Sequence, residues 1–137
     1  MSDSVSNIDI FYASAALIFT ELYKNVPVPI TLNYAYLSSI IFQDESTSTR
    51  EKITEVFINT VTWLKKSGYI WLDSESEQDV YGALLSPKGL EVLSITPDSQ
   101  HTAETIGEKL VALEKGNSQE DRAALVKFAI SEGTKTL

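Results

Sequence analysis

The chain has 137 residues, 43% of them hydrophobic and 22% charged, no cysteine, and a formal net charge of −8. That length and apolar content suffice for one core, so a single domain over 1–137 is expected, unlike the polar, charge-rich signature of disorder. Without cysteine there are no disulfides, thiolate metal ligands or cysteine nucleophile, and the acidity counts against a surface built to neutralise phosphates.

The strongly apolar run from Ile10 to Phe19 falls short of the roughly 20 residues that cross a bilayer, so no membrane partner is expected. Met1-Ser2-Asp3-Ser4 lacks the positive charge that precedes a secretory signal, which suits a cytoplasmic location.

From Ile8 to Asn25, the side chains of Ile10, Phe11, Leu17, Ile18, Phe19, Leu22 and Tyr23 cover most of a helical circumference. Ser6 or Asn7 would cap this helix, with Asp9 in its favourable first turn. A helix apolar on nearly all sides is buried on nearly all sides, either at the centre of the monomer or against a second subunit. Val26-Pro27-Val28-Pro29 stops it, because proline lacks an amide donor and forces the residue before it into extended conformations.

Ile30-Thr31-Leu32 suits a short strand. A second helix is predicted from about Asn33 to Phe42, with Tyr36, Leu37, Ile40 and Ile41 as its apolar side. After a polar turn from Gln43 to Thr47, Ser48-Thr49-Arg50-Glu51 has the spacing of a capping box. Along the third helix, Ile53, Val56, Phe57, Thr60, Val61 and Leu64 form one buried stripe that runs to Ser67-Gly68, with Lys65 and Lys66 in the last turn.

Tyr69-Ile70-Trp71-Leu72 and Val80 to Leu85 are predicted as two antiparallel strands around a long solvated loop, Asp73 to Asp79. Ser86-Pro87 supplies an N-cap followed by proline, opening a short helix with Leu90, Val92 and Leu93. Two amphipathic segments, Thr102 to Lys115 and Gln119 to Glu132, are joined by Gly116-Asn117-Ser118, and a helical hairpin over 102–134 is expected.

Trp63-Leu64-Lys65-Lys66-Ser67-Gly68-Tyr69-Ile70 resembles the end of a recognition helix and its exit into the first wing strand of a winged helix-turn-helix. Ala83-Leu84-Leu85-Ser86-Pro87-Lys88-Gly89-Leu90-Glu91-Val92-Leu93 resembles the second wing strand and the following helix in bacterial regulators of the MarR and PadR kind. The resemblance covers about 8–95 and implies a mainly α fold with a small antiparallel β-sheet, here a winged helix-turn-helix plus a C-terminal helical hairpin. Two features depart from the pattern. The turn between the second and third helices is longer than the three or four residues of a helix-turn-helix. The wing carries Asp73, Glu75, Glu77 and Asp79, with no Lys or Arg between Lys66 and Lys88, whereas a wing that grips phosphates is basic.

If the third helix read DNA as a dimeric regulator, Asn59 and Thr62 would reach base edges, while Arg50, Lys52, Lys65 and Lys66 would hold phosphates. Glu51 and Glu55 share that face and would repel the same phosphates. The other reading takes Ile58, Trp63 and Trp71, with the acidic Asp73, Glu75 and Glu77, as a surface for a protein partner. Core packing is the ordinary use of both tryptophans, and solvation the ordinary state of the acidic run.

There is no HExxH, no glycine-rich phosphate loop and no nucleophile elbow, and the single histidine, His101, lies in a loop segment. No catalytic, cofactor or metal site is therefore expected. The preferred reading is a non-enzymatic interaction module whose partner is another protein, or a second copy bound through the first helix and the hairpin. DNA binding is second, disfavoured by the acidic wing, and an acidic decoy of a nucleic-acid-binding protein is third.

Overall fold

The computed structural model describes residues 6–41, 47–97, 104–114 and 119–135, leaving aside the side chains of Thr47 and Ser48. Among them the elements run α1 (Asn7–Asn25), β1 (Ile30–Asn33), α2 (Tyr34–Ser39), α3 (Thr47–Lys66), β2 (Ile70–Trp71), β3 (Ser74–Glu75), β4 (Asp79–Leu85), α4 (Pro87–Leu93), α5 (Ile106–Leu113) and α6 (Gln119–Lys135). The chain is mainly helical with a small antiparallel sheet, as expected. No helix of the described residues is long and apolar enough to cross a membrane. The proposed cap of α3 at Ser48, the turn after Phe42, His101 and the Gly116-Asn117-Ser118 link lie wholly or partly outside the described residues.

α1 occupies the centre. Ser6 accepts a hydrogen bond from the Asp9 amide at 3.1 Å, and α3, α5, α6 and β4 all pack against the helix. Ile10, Ile18, Phe19 and Leu22 are buried by these neighbours. Most of the all-round apolarity of α1 is thus taken up inside one chain, with α6 among the helices that meet it.

α2 is shorter than predicted and turned differently. Asn33 caps it by accepting from the Tyr36 amide at 2.8 Å, and the helix buries Tyr34 and Leu37. Tyr36 is 64% exposed and Ile40 faces outward as well. Because α2 leaves β1 directly, Tyr34 is aimed into the core, where its ring meets Phe57 edge-on at 6.3 Å. In α3, Ile53, Phe57, Thr60, Val61 and Leu64 are buried as the stripe predicts, and Val56 is half-buried at its margin. α5 starts at Ile106, later than Thr102, because Thr105 and Glu108 form a reciprocal capping box there.

The polar stretch after Leu72 is more ordered than a loop. β1 pairs with one edge of β4, and β2 and β3 with the other, so β4 is the central strand. Ile30 pairs with Ala83 and Leu32 with Val80, two steps on β1 against three on β4. The extra residue is accommodated at Gly82, whose φ of 71° is open to glycine and costly for other residues. The resulting bulge lets Val80, Ala83 and Leu85 all face the core, while Tyr81 faces solvent.

Tyr69 ties the helices to the sheet. Its ring lies edge-on to Phe19 of α1 at 6.0 Å and stacks on Trp63 of α3 at 6.3 Å. Lys88 of α4 sits 4.6 Å above the same ring, and the hydroxyl donates to the Ile130 carbonyl of α6 at 3.3 Å. On the backbone, the Tyr69 amide donates to the Leu64 carbonyl at 2.9 Å, and its carbonyl accepts from Ser86 at 3.0 Å. The turn between α3 and β2 is made at Gly68, with φ of 87°.

Tyr69→Ala is therefore predicted to lower unfolding stability by about 3–5 kcal/mol. Tyr69→Phe, which removes only the hydroxyl, should cost about 1 kcal/mol. Gly89→Ala should also destabilise, because a Cβ there collides with the Tyr69 carbonyl, part of a backbone held at both ends. Urea denaturation checks all three; a Tyr69→Ala cost no larger than that of exposed Tyr36→Ala would dissolve the hub.

Candidate functional site

The residues singled out in the sequence fall on separate surfaces. Arg50 and Lys52 stand in the first half of α3 and Lys65 and Lys66 in its last turn. At a rise of 1.5 Å per residue, Lys52 and Lys65 are roughly 20 Å apart along the axis. The four basic residues thus divide between the two ends of the helix. Between them, Glu51, Glu55 and Asn59 are exposed, Thr62 is half-buried, and the Asn59 amide donates to the Glu55 carbonyl at 2.9 Å. One of the two amide hydrogens with which Asn59 would read a base is engaged by its own helix.

Ile58 is half-buried and packs against the core, so it is less of an outlier than its sequence position suggests. The tryptophans are more exposed than core packing predicts, Trp63 at 41% and Trp71 at 55%. They stand on different elements, Trp63 on α3 and Trp71 on β2. Trp63 meets Phe11 of α1 edge-on at 5.1 Å and covers Tyr69. Together with Ile8, Phe11, Lys52, Glu55 and Asn59 it lines an open groove of about 540 Å³ between α1 and α3.

Trp71 lies on the outer face of the sheet, cross-strand from Leu84. It is exposed because β2 alternates, sending Ile70 inward to the core and Trp71 outward. Tyr81, 41% exposed, faces the same way from β4. A Cβ built on Gly82 would collide with the Asp73 carboxylate, so Asp73 lies against the bulge, in the space a side chain would otherwise fill. The outer face of the ribbon thus carries Trp71, Tyr81 and Leu84, with the Asp73 carboxylate against Gly82.

The acidic run divides in two. Glu75 accepts from the Tyr34 hydroxyl at 2.6 Å, and Asp79 accepts from the Asn33 side-chain amide at 3.0 Å and from the Tyr81 hydroxyl at 3.4 Å. Ser76 closes the turn between β3 and β4, its hydroxyl accepting from the Gln78 and Asp79 amides at 3.1 and 3.0 Å. The Tyr34 amide donates to the Gln78 carbonyl at 2.9 Å, so the ribbon tip is fastened to the junction of β1 and α2. Asp73, Glu75 and Glu77 are exposed and Asp79 is half-buried, so Glu75 is tied to Tyr34 while still facing solvent. Among the described residues no group of three or more His, Asp or Glu side chains is placed to hold a metal ion.

Tyr34, Tyr81, Gly82 and Leu84 were not singled out by sequence reasoning. Gly82 inside an otherwise apolar strand is the signal that could have found the bulge. Tyr34 carried no such signal, since its carboxylate partner lies 41 residues away.

Comparison with protein-family models, with curated proteins and with solved structures finds no match for this chain.

The Tyr34 hydroxyl is pushed above its ordinary value of 10.0, first by burial, then by donating to Glu75 and by the nearby charges of Glu75 and Asp79. Burial raises the Tyr69 hydroxyl too. A pKa raised on folding ties stability to the neutral phenol, so that contribution is complete below pH 10.0 and is lost as pH climbs above it. Tyr34→Phe should cost about 1 kcal/mol near neutrality through the lost hydrogen bond. Above pH 10.0 its stability should fall less steeply than the parent's, with Tyr69 and Lys24, which is raised by its bond to Glu114, supplying slope that remains. Denaturant titrations across the alkaline range check the difference; parallel curves would mean that Tyr34 does not couple the ribbon to the core.

Proposed function

We propose that the chain is a non-enzymatic winged-helix module that binds another protein through its β-ribbon. The order of α1, β1, α2, α3, β2 and β4, with β1 and β2 flanking β4, supports the winged-helix reading, β2 to β4 being the wing. The observation that carries the functional part is the composition of the ribbon's outer face: Trp71, Tyr81 and Leu84 beside Asp73, on a segment without Lys or Arg from Ser67 to Pro87. Exposed aromatic rings suit the centres of protein interfaces, and acidic groups repel phosphate.

DNA reading by α3 is the second possibility, favoured by the exposed amide of Asn59 and the lysines at the helix end. Against it stand the separation of the basic residues, the hydrogen bond from Asn59 to its own helix and the exposed Glu51 and Glu55 between. An acidic decoy shares the charge argument and differs only in which protein it meets. Self-association through α1 has less to motivate it, because most of the apolar circumference of α1 packs against α3, α5, α6 and β4 of its own chain.

At about 50 mM salt, where phosphate binding is strong, the protein should show no retention on heparin or random duplex DNA. Retention that falls steeply with salt and disappears in a Lys65→Glu, Lys66→Glu variant would replace the protein-partner reading with the DNA reading. Light scattering should return a particle near 15.2 kDa.

A further inference from the structure

We propose that the outer face of the ribbon is a receptor for an arginine side chain presented by an exposed basic segment of the partner protein, with Asp73 seated at the Gly82 bulge as its counter-ion. This rests on the protein-partner reading and names the chemistry of the same surface.

Three features converge there. The cross-strand pairing of Trp71 with Leu84 and of Ser74 with Tyr81 fixes both rings on one side of a sheet whose other side is the core. Tyr81 adjoins Gly82 on β4 and Trp71 pairs two residues beyond it, and the missing side chain of Gly82 leaves room for the Asp73 carboxylate. Asp79, which accepts from the Tyr81 hydroxyl, adds a second negative group beside that ring. A cation is attracted to the faces of Trp and Tyr, and a carboxylate in reach gives it a charge-assisted hydrogen bond.

Arginine fits better than lysine. Its guanidinium is planar, stacks on an aromatic ring, meets a carboxylate with two parallel N–H groups and is less strongly hydrated than an ammonium. The same group is repelled by nothing on the ribbon, since the nearest Lys or Arg in the sequence on either side are Lys66 and Lys88. Lys88 is directed elsewhere, over the Tyr69 ring and onto the Ser67 carbonyl. The groove beside Trp63 offers no such complementarity, because Lys52 and Glu55 line it together.

The test is an NMR titration of the full chain, labelled with nitrogen-15, with a blocked arginine-rich peptide and a lysine-rich peptide of equal charge. The largest shifts are expected at the Trp71 indole and the Gly82 amide, with the arginine peptide bound several-fold more tightly. Trp71→Ala and Asp73→Asn should each weaken it by about fivefold. Glu51→Gln, which removes the same charge from an exposed position on α3, should leave affinity unchanged. The spectra show whether Trp71→Ala keeps the fold, and Asp73→Asn preserves side-chain shape.

Equal weakening by Glu51→Gln and Asp73→Asn would reduce the effect to net charge and overturn the proposal, as would equal binding of the two peptides or shifts centred on the Trp63 groove. The first two failures leave the ribbon as a protein-binding surface for a partner of other chemistry, and the third moves the surface to the groove. Salt-dependent retention on DNA defeats that reading whatever the arginine peptide does.

Discussion

The arrangement of the surface depends on how Tyr69 is held. Its amide and carbonyl are bound by Leu64 and Ser86, so the end of α3 and the exit of β4 are fixed to one residue. From that anchor the pairing of β2 with β4 has a single register, Ile70 with Leu85 and Trp71 with Leu84. A slip of one residue would turn Ile70 to solvent and drive Trp71 into the core. The exposure of Trp71 is thus a consequence of buried contacts made by its neighbour but one, and the ring of Tyr69 carries that constraint to α1, α4 and α6.

The second constraint is the extra residue in β4. Strict alternation would place Val80 and Ala83 on opposite faces, leaving a gap under β1 or an apolar side chain in water. The bulge at Gly82 restores both to the core, and the same glycine makes the notch that Asp73 occupies. Core packing and the shape of the outer face are two results of one backbone feature. A side chain at that position would disturb both, through its strained φ and through collision with the carboxylate.

Much of this architecture is legible in the sequence where local rules decide. Ser6, Ser86 and the Gly68 turn announce their elements by capping and turn chemistry, and the stripe of α3 follows from spacing alone. What is not legible depends on distant partners. Asp73 to Asp79 reads as a polar loop because nothing near it reveals that Tyr34 and Asn33 will bind Glu75 and Asp79. Tyr36 reads as part of an apolar side, whereas the direct junction of β1 and α2 gives that place to Tyr34. Trp63 and Trp71 have the residue type of a core and the positions of a surface, which only the packing of α1 on α3 and the register of the ribbon can decide.

The acidity of the ribbon also takes a different meaning in three dimensions. A run of carboxylates in sequence suggests a uniformly solvated loop, held apart by its own repulsion. In the fold, Glu75 and Asp79 are hydrogen-bonded and hold the tip against the body, and that fixed tip positions the strand pairing on which Tyr81 stands. Glu75 stays exposed despite its bond to Tyr34, as do Asp73 and Glu77. Glu75 and Asp79 therefore shape the surface as well as charge it, and the aromatic face above them is held by contacts made within the chain.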